Sequence, residues 1–190
     1  HTTSSVCTPT RYGILTGRYN WRSRLKRSVL FNPTDKALMD PKRLNLPTFL
    51  QKAGYHTACI GKWHLGADWV KLPKNANADK SGASWQIDYT KPFKNGPVDV
   101  GFHEAFFILS SLDMAPYVYL RNDRATAVPT MNKGFPHNEY NKYQRIGAAA
   151  ADFEASDCLS DWASESRDYI KRRARDKKKP FFLYLPLTSP

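Results

Sequence analysis

No stretch of this sequence approaches the roughly 18 uninterrupted apolar residues that a membrane-crossing helix needs, so no span of the bilayer is expected. Internal repeats and low-complexity tracts are missing too, and the chain reads as a succession of helices and strands. Cysteine is scarce. Cys7, Cys59 and Cys158 form no C-x-x-C pair and no zinc spacing, and an odd number cannot all pair within one chain. Acidic residues are also few: 17 Asp and Glu stand against 29 Lys and Arg, a formal net charge of +12. Such a field attracts polyanions, whether nucleic acid, anionic lipid, or sulfated and phosphorylated compounds.

Much of that excess sits in "YIKRRARDKKKP", residues 169–180, where a helix is expected to end. Cations in a last turn complement the helix dipole and keep a surface soluble. A nucleic-acid module would interleave aromatics with the basic residues, and this run holds only Tyr169, so no nucleic-acid partner is expected. With 190 residues and 41% hydrophobic content, the chain suffices for one medium domain or a large piece of a bigger one. His1 opens without a methionine or signal sequence, and the closing "PFFLYLPLTSP" runs through a buried-strand pattern into a connection. The expectation is a piece of a larger domain.

Three helices are predicted. Pro9 suits a first helical turn, and "TRYGILTG" forms a short helix that Gly17 ends. "LPTFLQKAG" follows, with Pro47 near its start and Gly54 as its C-terminal cap, and it feeds the β-rich "YHTACIGKW". The third spans about 155–175, placing Leu159, Trp162, Ala163, Ser166, Tyr169 and Ile170 on one face, before the apolar run "FFLYLPL". Helix, short link and buried strand, twice over, predict an α/β domain with a mostly parallel sheet. Residues 68–100 are polar and rich in Pro, Gly, Asn and Lys, and read as a long surface loop.

Cys7 falls at or just before the first helix, where unpaired N–H groups and the positive dipole end favour an anion. Arg11, four residues on, returns to the same face with a fixed charge. Taken alone, such a cysteine is better explained as a small buried residue at a helix start, with Arg11 in a surface pair. Lys62 and His64 lie two apart at a strand's C-terminal end, where ligands of open α/β sheets gather. Here too a simpler account exists, a snorkelling lysine and a histidine packed on Trp63.

The ordered segment "CTPTRYGILTGR", Cys7 to Arg18, resembles the signature of the type I, formylglycine-dependent sulfatases, in which C-x-P-x-R leads into L-x-T-G-R. "GKWHLG", Gly61 to Gly66, is similar to the second signature of that family and comes in the expected order. A weaker likeness to bacterial arylsulfatase-like proteins covers residues 101–130. There Ser111 falls where many sulfatases place a hydroxyl near the substrate sulfate, with Ser110 as its competitor. That stretch departs from the usual pattern at His103, where an acidic residue is commoner, and at Phe107, where glycine is common. Phe107 is expected to narrow or redirect the wall of the site.

The resemblance implies an alkaline-phosphatase-like α/β sandwich, with residues 1–190 forming part of one N-terminal catalytic domain. Its first strand, with an Asp pair for the metal, would lie upstream; a His, an Asp-Asn pair, a Lys and the general acid would lie downstream. His1 is not expected to be a ligand. The resemblance further implies that a formylglycine-generating enzyme oxidises Cys7 to formylglycine (3-oxoalanine), which then binds calcium, and that its hydrate attacks the sulfur of a sulfate ester. Arg11 would orient and charge-stabilise the diol, Lys62 would bind sulfate and bridge to the diol, and His64 would hydrogen-bond the hydroxyl whose proton must leave. The substrate would be an aryl or carbohydrate sulfate, sulfated glycans included, met in the periplasm or outside the cell. Two alternatives remain: a formylglycine hydrolase of phosphonate or phosphate esters, and a non-catalytic relative that binds sulfated glycans.

Overall fold

The computed structural model describes residues 4–73, 76, 80–135 and 145–188; His1 and Pro190 lie outside them. Among the described residues, seven strands and three α-helices follow in the order α1 (Cys7–Thr16), α2 (Leu46–Lys52), β1 (His56–Lys62), β2 (Glu104–Ile108), β3 (Leu120–Arg121), β4 (Arg124–Ala125), β5 (Met131–Lys133), β6 (Gly147–Ala149), α3 (Cys158–Ala174) and β7 (Phe181–Tyr184). The main sheet has the order β4-β3-β2-β1-β7, and β5 pairs with β6 in a second, two-stranded sheet.

β1 runs parallel to both β2 and β7, and is buried at every position after His56. A strand flanked on both sides in a parallel sheet needs apolar or small residues throughout, and "TACIG" supplies them. β3 and β4 form an antiparallel extension beyond β2, so the sheet is mixed around a parallel centre. Their two-residue lengths leave almost no period-2 pattern to read, which is why they escape detection in the sequence.

α1 begins at Cys7 itself, with Val6 at the N-cap giving no side-chain cap, and it ends at Gly17 in the left-handed region, φ 64°. Pro9 therefore stands at the third helical position, still among residues whose N–H has no helical partner. α2 starts on a capping box: Asn45 accepts from the Thr48 backbone N–H, and the Thr48 hydroxyl faces back to the Asn45 N–H at 3.0 Å.

In α3 the expected face needs correction. Cys158, Trp162, Ser166 and Tyr169 are buried, whereas Leu159, Ala163 and Ile170 are exposed. The buried stripe is narrower than the apolar pattern and is set by the two largest rings, Trp162 and Tyr169. Tyr169 anchors the helix by donating its hydroxyl to the His56 carbonyl at the start of β1 (3.0 Å).

Residues 68–100 hold no α-helix or extended strand among those described, yet they do not simply lie over the surface. Trp85, Ile87, Tyr89, Phe93 and Val100 are buried. Phe93 packs between Trp69 (ring centroids 4.7 Å) and Phe107 (6.1 Å). Apolar residues spaced by polar ones at irregular intervals give no periodic signal, so composition hides their contribution to the core. Phe107 itself is fully buried against this cluster and Trp63, so it is a core residue and forms no wall of the site.

Two features align the strand ends. Gly61 has φ 126°, and a Cβ there would lie 2.4 Å from the Pro186 carbonyl oxygen, so only glycine allows the chain after β7 to run this close. Beside it the Lys62 N–H donates to that same carbonyl at 2.7 Å. Trp63 and His64 then continue pairing with the β2 side, their N–H groups donating to Ile108 and Leu109 carbonyls.

Candidate active site

The C-terminal ends of β1 and β2 meet the N-terminus of α1 at one place, the position where open α/β sheets bind ligands. Cys7, half-buried, is the first residue of α1. It lines a cleft of about 580 Å³ together with Thr10, Arg11, Tyr184 and Pro186. An uncapped helix start turns unpaired backbone N–H groups and the positive dipole end towards whatever group occupies position 7.

Arg11 joins Cys7 in this cleft, one turn along the helix. Its guanidinium donates to the Lys62 carbonyl at 2.7 Å and to the Leu187 carbonyl at 3.2 Å. It thereby ties α1 to the ends of β1 and the chain after β7. The buried Nε has no partner among the described residues.

Lys62 is buried, and its ammonium donates to the Ser111 hydroxyl at 2.5 Å. Burial lowers its pKa; the adjacent Cys7 side chain, within hydrogen-bonding reach of the ammonium, opposes that fall, and Arg11 reinforces it. Ser111 comes shortly after β2, beyond Leu109 and Ser110, both buried. Cys7, Lys62 and Ser111 thus form a connected row from the α1 start to the β2 end.

His64 is 3% exposed. It does not continue the extended course of β1: its φ is 56°, so the strand geometry ends at Trp63. Its Nε2 lies 2.9 Å from the Leu30 carbonyl, an acceptor only, which fixes the proton on Nε2 in the neutral ring. Nδ1 is buried with no partner among the described residues. Burial and then the Lys62 charge push the His64 pKa down to about 4, so the ring is neutral at ordinary pH with a free lone pair on Nδ1. Trp63, in contrast, turns away into the core against Phe102.

Three participants are not among the residues singled out in the sequence. Thr8 is fully buried and donates to the His64 carbonyl at 3.0 Å, and Leu30 supplies the acceptor for His64. Asp113 sits close enough to raise the pKa of both Lys62 and His64 against the effect of burial. Its place two residues after Ser111 is the only local clue. The remaining thiols are inert by environment: burial raises Cys59 far out of the physiological range, and raises Cys158 to about 11. Among the described residues no three His, Cys, Asp or Glu side chains group as a metal site.

His64 also makes stability depend on pH. Its folded pKa of about 4 lies below the ordinary 6.5, so between these values the unfolded chain binds a proton that the native state refuses. The contribution is complete above pH 6.5 and is lost as pH falls towards 4, an effect of about 3 kcal/mol. Denaturant midpoints measured across this window are expected to fall with pH, and His64→Gln is expected to flatten the slope.

These groups define an α/β protein with a cationic pocket at its strand ends, beside the half-buried thiol of Cys7. Comparison with known proteins agrees. The Sulfatase family model matches residues 1–190, and the chain belongs to the sulfatase family. Among curated proteins it is similar to the N-acetylgalactosamine-6-O-sulfatase of Bacteroides thetaiotaomicron, 24% identical over 214 aligned residues, covering 97% of this chain and 39% of that protein. A solved Bacteroides thetaiotaomicron structure, from work on the metabolism of multiple glycosaminoglycans, superposes with a TM-score of 0.71 at 23% identity, covering 97% of this chain and 41% of that one. The PsFucS1 sulfatase from Pseudoalteromonas sp. gives 0.57 at 21% identity, covering 97% and 34%. The fold is accordingly the alkaline-phosphatase-like sandwich in part, and the chain spans about two fifths of the length of the first of these relatives.

Proposed function

We propose that the protein hydrolyses sulfate esters, with position 7 as formylglycine and with Arg11, Lys62, His64 and Ser111 as its working partners. The observation that carries this reading is the row Cys7, Lys62 and Ser111 at the α1 start, beside a buried His64 that Thr8 bonds to the same helix start and whose Nδ1 has no partner among the described residues. The chain offers what the group needs: a half-buried position 7 at an uncapped N-terminus, a cation beside it and an unpartnered base nearby. The hydrated aldehyde supplies one oxygen that attacks sulfur and a second hydroxyl whose deprotonation lets sulfate leave.

Lys62 holds the ester's sulfate and the position-7 side chain together, with Ser111 completing the contact to a sulfate oxygen. Because the lysine is already desolvated, its charge acts at close to full strength where negative charge develops. Neutral His64 takes the departing proton at Nδ1, the one ring nitrogen left without a partner. Arg11 keeps its carbonyl contacts and adds fixed positive charge to the wall. Calcium is the cation proposed for the site; of the residues here only position 7, as an oxygen ligand, is offered to it, and no step is assigned to the ion.

The relative's name, N-acetylgalactosamine-6-O-sulfatase, and the net charge of +12 both support a sulfated glycan as substrate, encountered after export to the periplasm or beyond. Maturation would require a formylglycine-generating enzyme that reads Cys7 to Arg11. The test is turnover by the full-length, matured protein of matched aryl sulfate, aryl phosphate and aryl phosphonate esters, and of a 6-O-sulfated amino sugar. The sulfates are expected to be hydrolysed in preference. Preference for phosphonate or phosphate would reassign the ester class, and binding of sulfated glycan without turnover of any ester would make the protein a non-catalytic relative.

A further inference from the structure

Thr8, Leu30 and His64 close a ring of hydrogen bonds behind the pocket. The Leu30 N–H donates to the Thr8 hydroxyl oxygen at 3.4 Å, the hydroxyl donates to the His64 carbonyl at 3.0 Å, and His64 Nε2–H donates to the Leu30 carbonyl at 2.9 Å. All three residues are buried. Every donor in the ring has one acceptor, and its direction admits no reversal: both carbonyls only accept, and the Leu30 N–H only donates. The same ring closes on a residue whose backbone, at φ 56°, is in the left-handed region that non-glycine residues seldom occupy.

We propose that Thr8 is a positioning residue: by clamping the His64 carbonyl and the Leu30 N–H at once, its hydroxyl holds His64 as the Nε2–H tautomer and aims the bare Nδ1 at position 7. The proposal rests on the sulfatase reading above for what Nδ1 does, but not for the tautomer. Thr8 touches no reacting atom. It connects α1, which carries position 7, directly to the His64 backbone, whereas Arg11 ties the same helix to the Lys62 carbonyl. A hydroxyl at this position has a role that neither helix propensity nor capping explains, since Thr8 is the second helical residue and bonds outside its own helix.

Thr8→Val keeps the shape and removes both bonds; Thr8→Ser keeps the hydroxyl. In the full-length protein matured beside a formylglycine-generating enzyme, each variant is assayed per mole of formylglycine found at position 7 by mass spectrometry, because Thr8 lies within the maturation signature. Thr8→Val is expected to lower kcat for a sulfate ester by about 10- to 100-fold, with KM changed less than threefold. Thr8→Ser is expected to restore kcat to within threefold. Nitrogen-15 NMR of the histidine rings supplies a readout independent of activity: His64 is expected as the Nε2–H tautomer in wild type and Thr8→Ser, and as a mixture in Thr8→Val. A Thr8→Val protein with unchanged kcat at equal formylglycine content would overturn the proposal, and so would an Nδ1–H tautomer in the wild type, even if the valine variant failed to fold. Wild-type protein that turns over no sulfate ester yet shows the Nε2–H tautomer and its loss in Thr8→Val would sink the sulfatase reading and leave the clamp standing.

Discussion

Cys7→Ala in the full-length protein is expected to lower kcat/KM for a sulfate ester by on the order of 10⁴ or more, with the thermal midpoint little changed. Loss of a covalent nucleophile removes the chemistry itself, and the remaining cations can only bind the ester. The fold tolerates the change because Cys7 is half-buried at the first position of α1, where alanine is a good helix former. Cys7→Ser, left unconverted, separates two requirements. A single hydroxyl can attack sulfur but has no second hydroxyl to expel sulfate, so a stoichiometric burst followed by arrest is expected. Steady turnover by an unconverted serine would show that the aldehyde hydrate is not needed.

Lys62→Met is expected to split activity from stability in the opposite sense to most buried substitutions. Activity should fall by about 10²- to 10³-fold, the scale of removing one preorganised charge contact from a transition state. Stability should hold or rise. The lowered pKa of Lys62 has burial as its largest cause, so the native state bears a desolvation penalty that a thioether of similar length does not. Against this stands the Ser111 hydroxyl, which would lose its 2.5 Å partner at a cost of about 1 kcal/mol. Thermal melts and sulfate-ester kinetics on the same preparation check the split. A proportional fall in both would make Lys62 a structural residue.

The residues proposed to work in the site are legible in the sequence because each sits in a short local pattern. Cys7 and Arg11 share one helical turn, so spacing alone brings them together, whereas His64 lies past the end of β1 in the left-handed region and only its nearness to Lys62 in the chain is legible. The clamp behind them was not legible for the opposite reason. Its three bonds join residues 22, 56 and 34 positions apart, and no local period links Thr8, Leu30 and His64. The helices are legible from caps and glycines, yet the buried side of α3 follows Trp162 and Tyr169 and leaves Leu159 and Ile170 exposed. Aromatic bulk decided that face, where a count of apolar positions gave a broader one. Residues 68–100 mislead by composition, since five buried apolar side chains are diluted among lysines and asparagines. Phe107 misleads by alignment: a strand residue read as a site wall points into the core.

The central claim is that position 7 acts as formylglycine, and mass spectrometry of the tryptic peptide ending at Arg11 tests it most directly. The protein should be produced full length beside a formylglycine-generating enzyme. The expected spectrum shows the mass deficit of a thiol exchanged for an aldehyde at Cys7, in a preparation that hydrolyses sulfate esters in proportion to that deficit. An intact thiol in a preparation that hydrolyses sulfate esters at the same rate would contradict it.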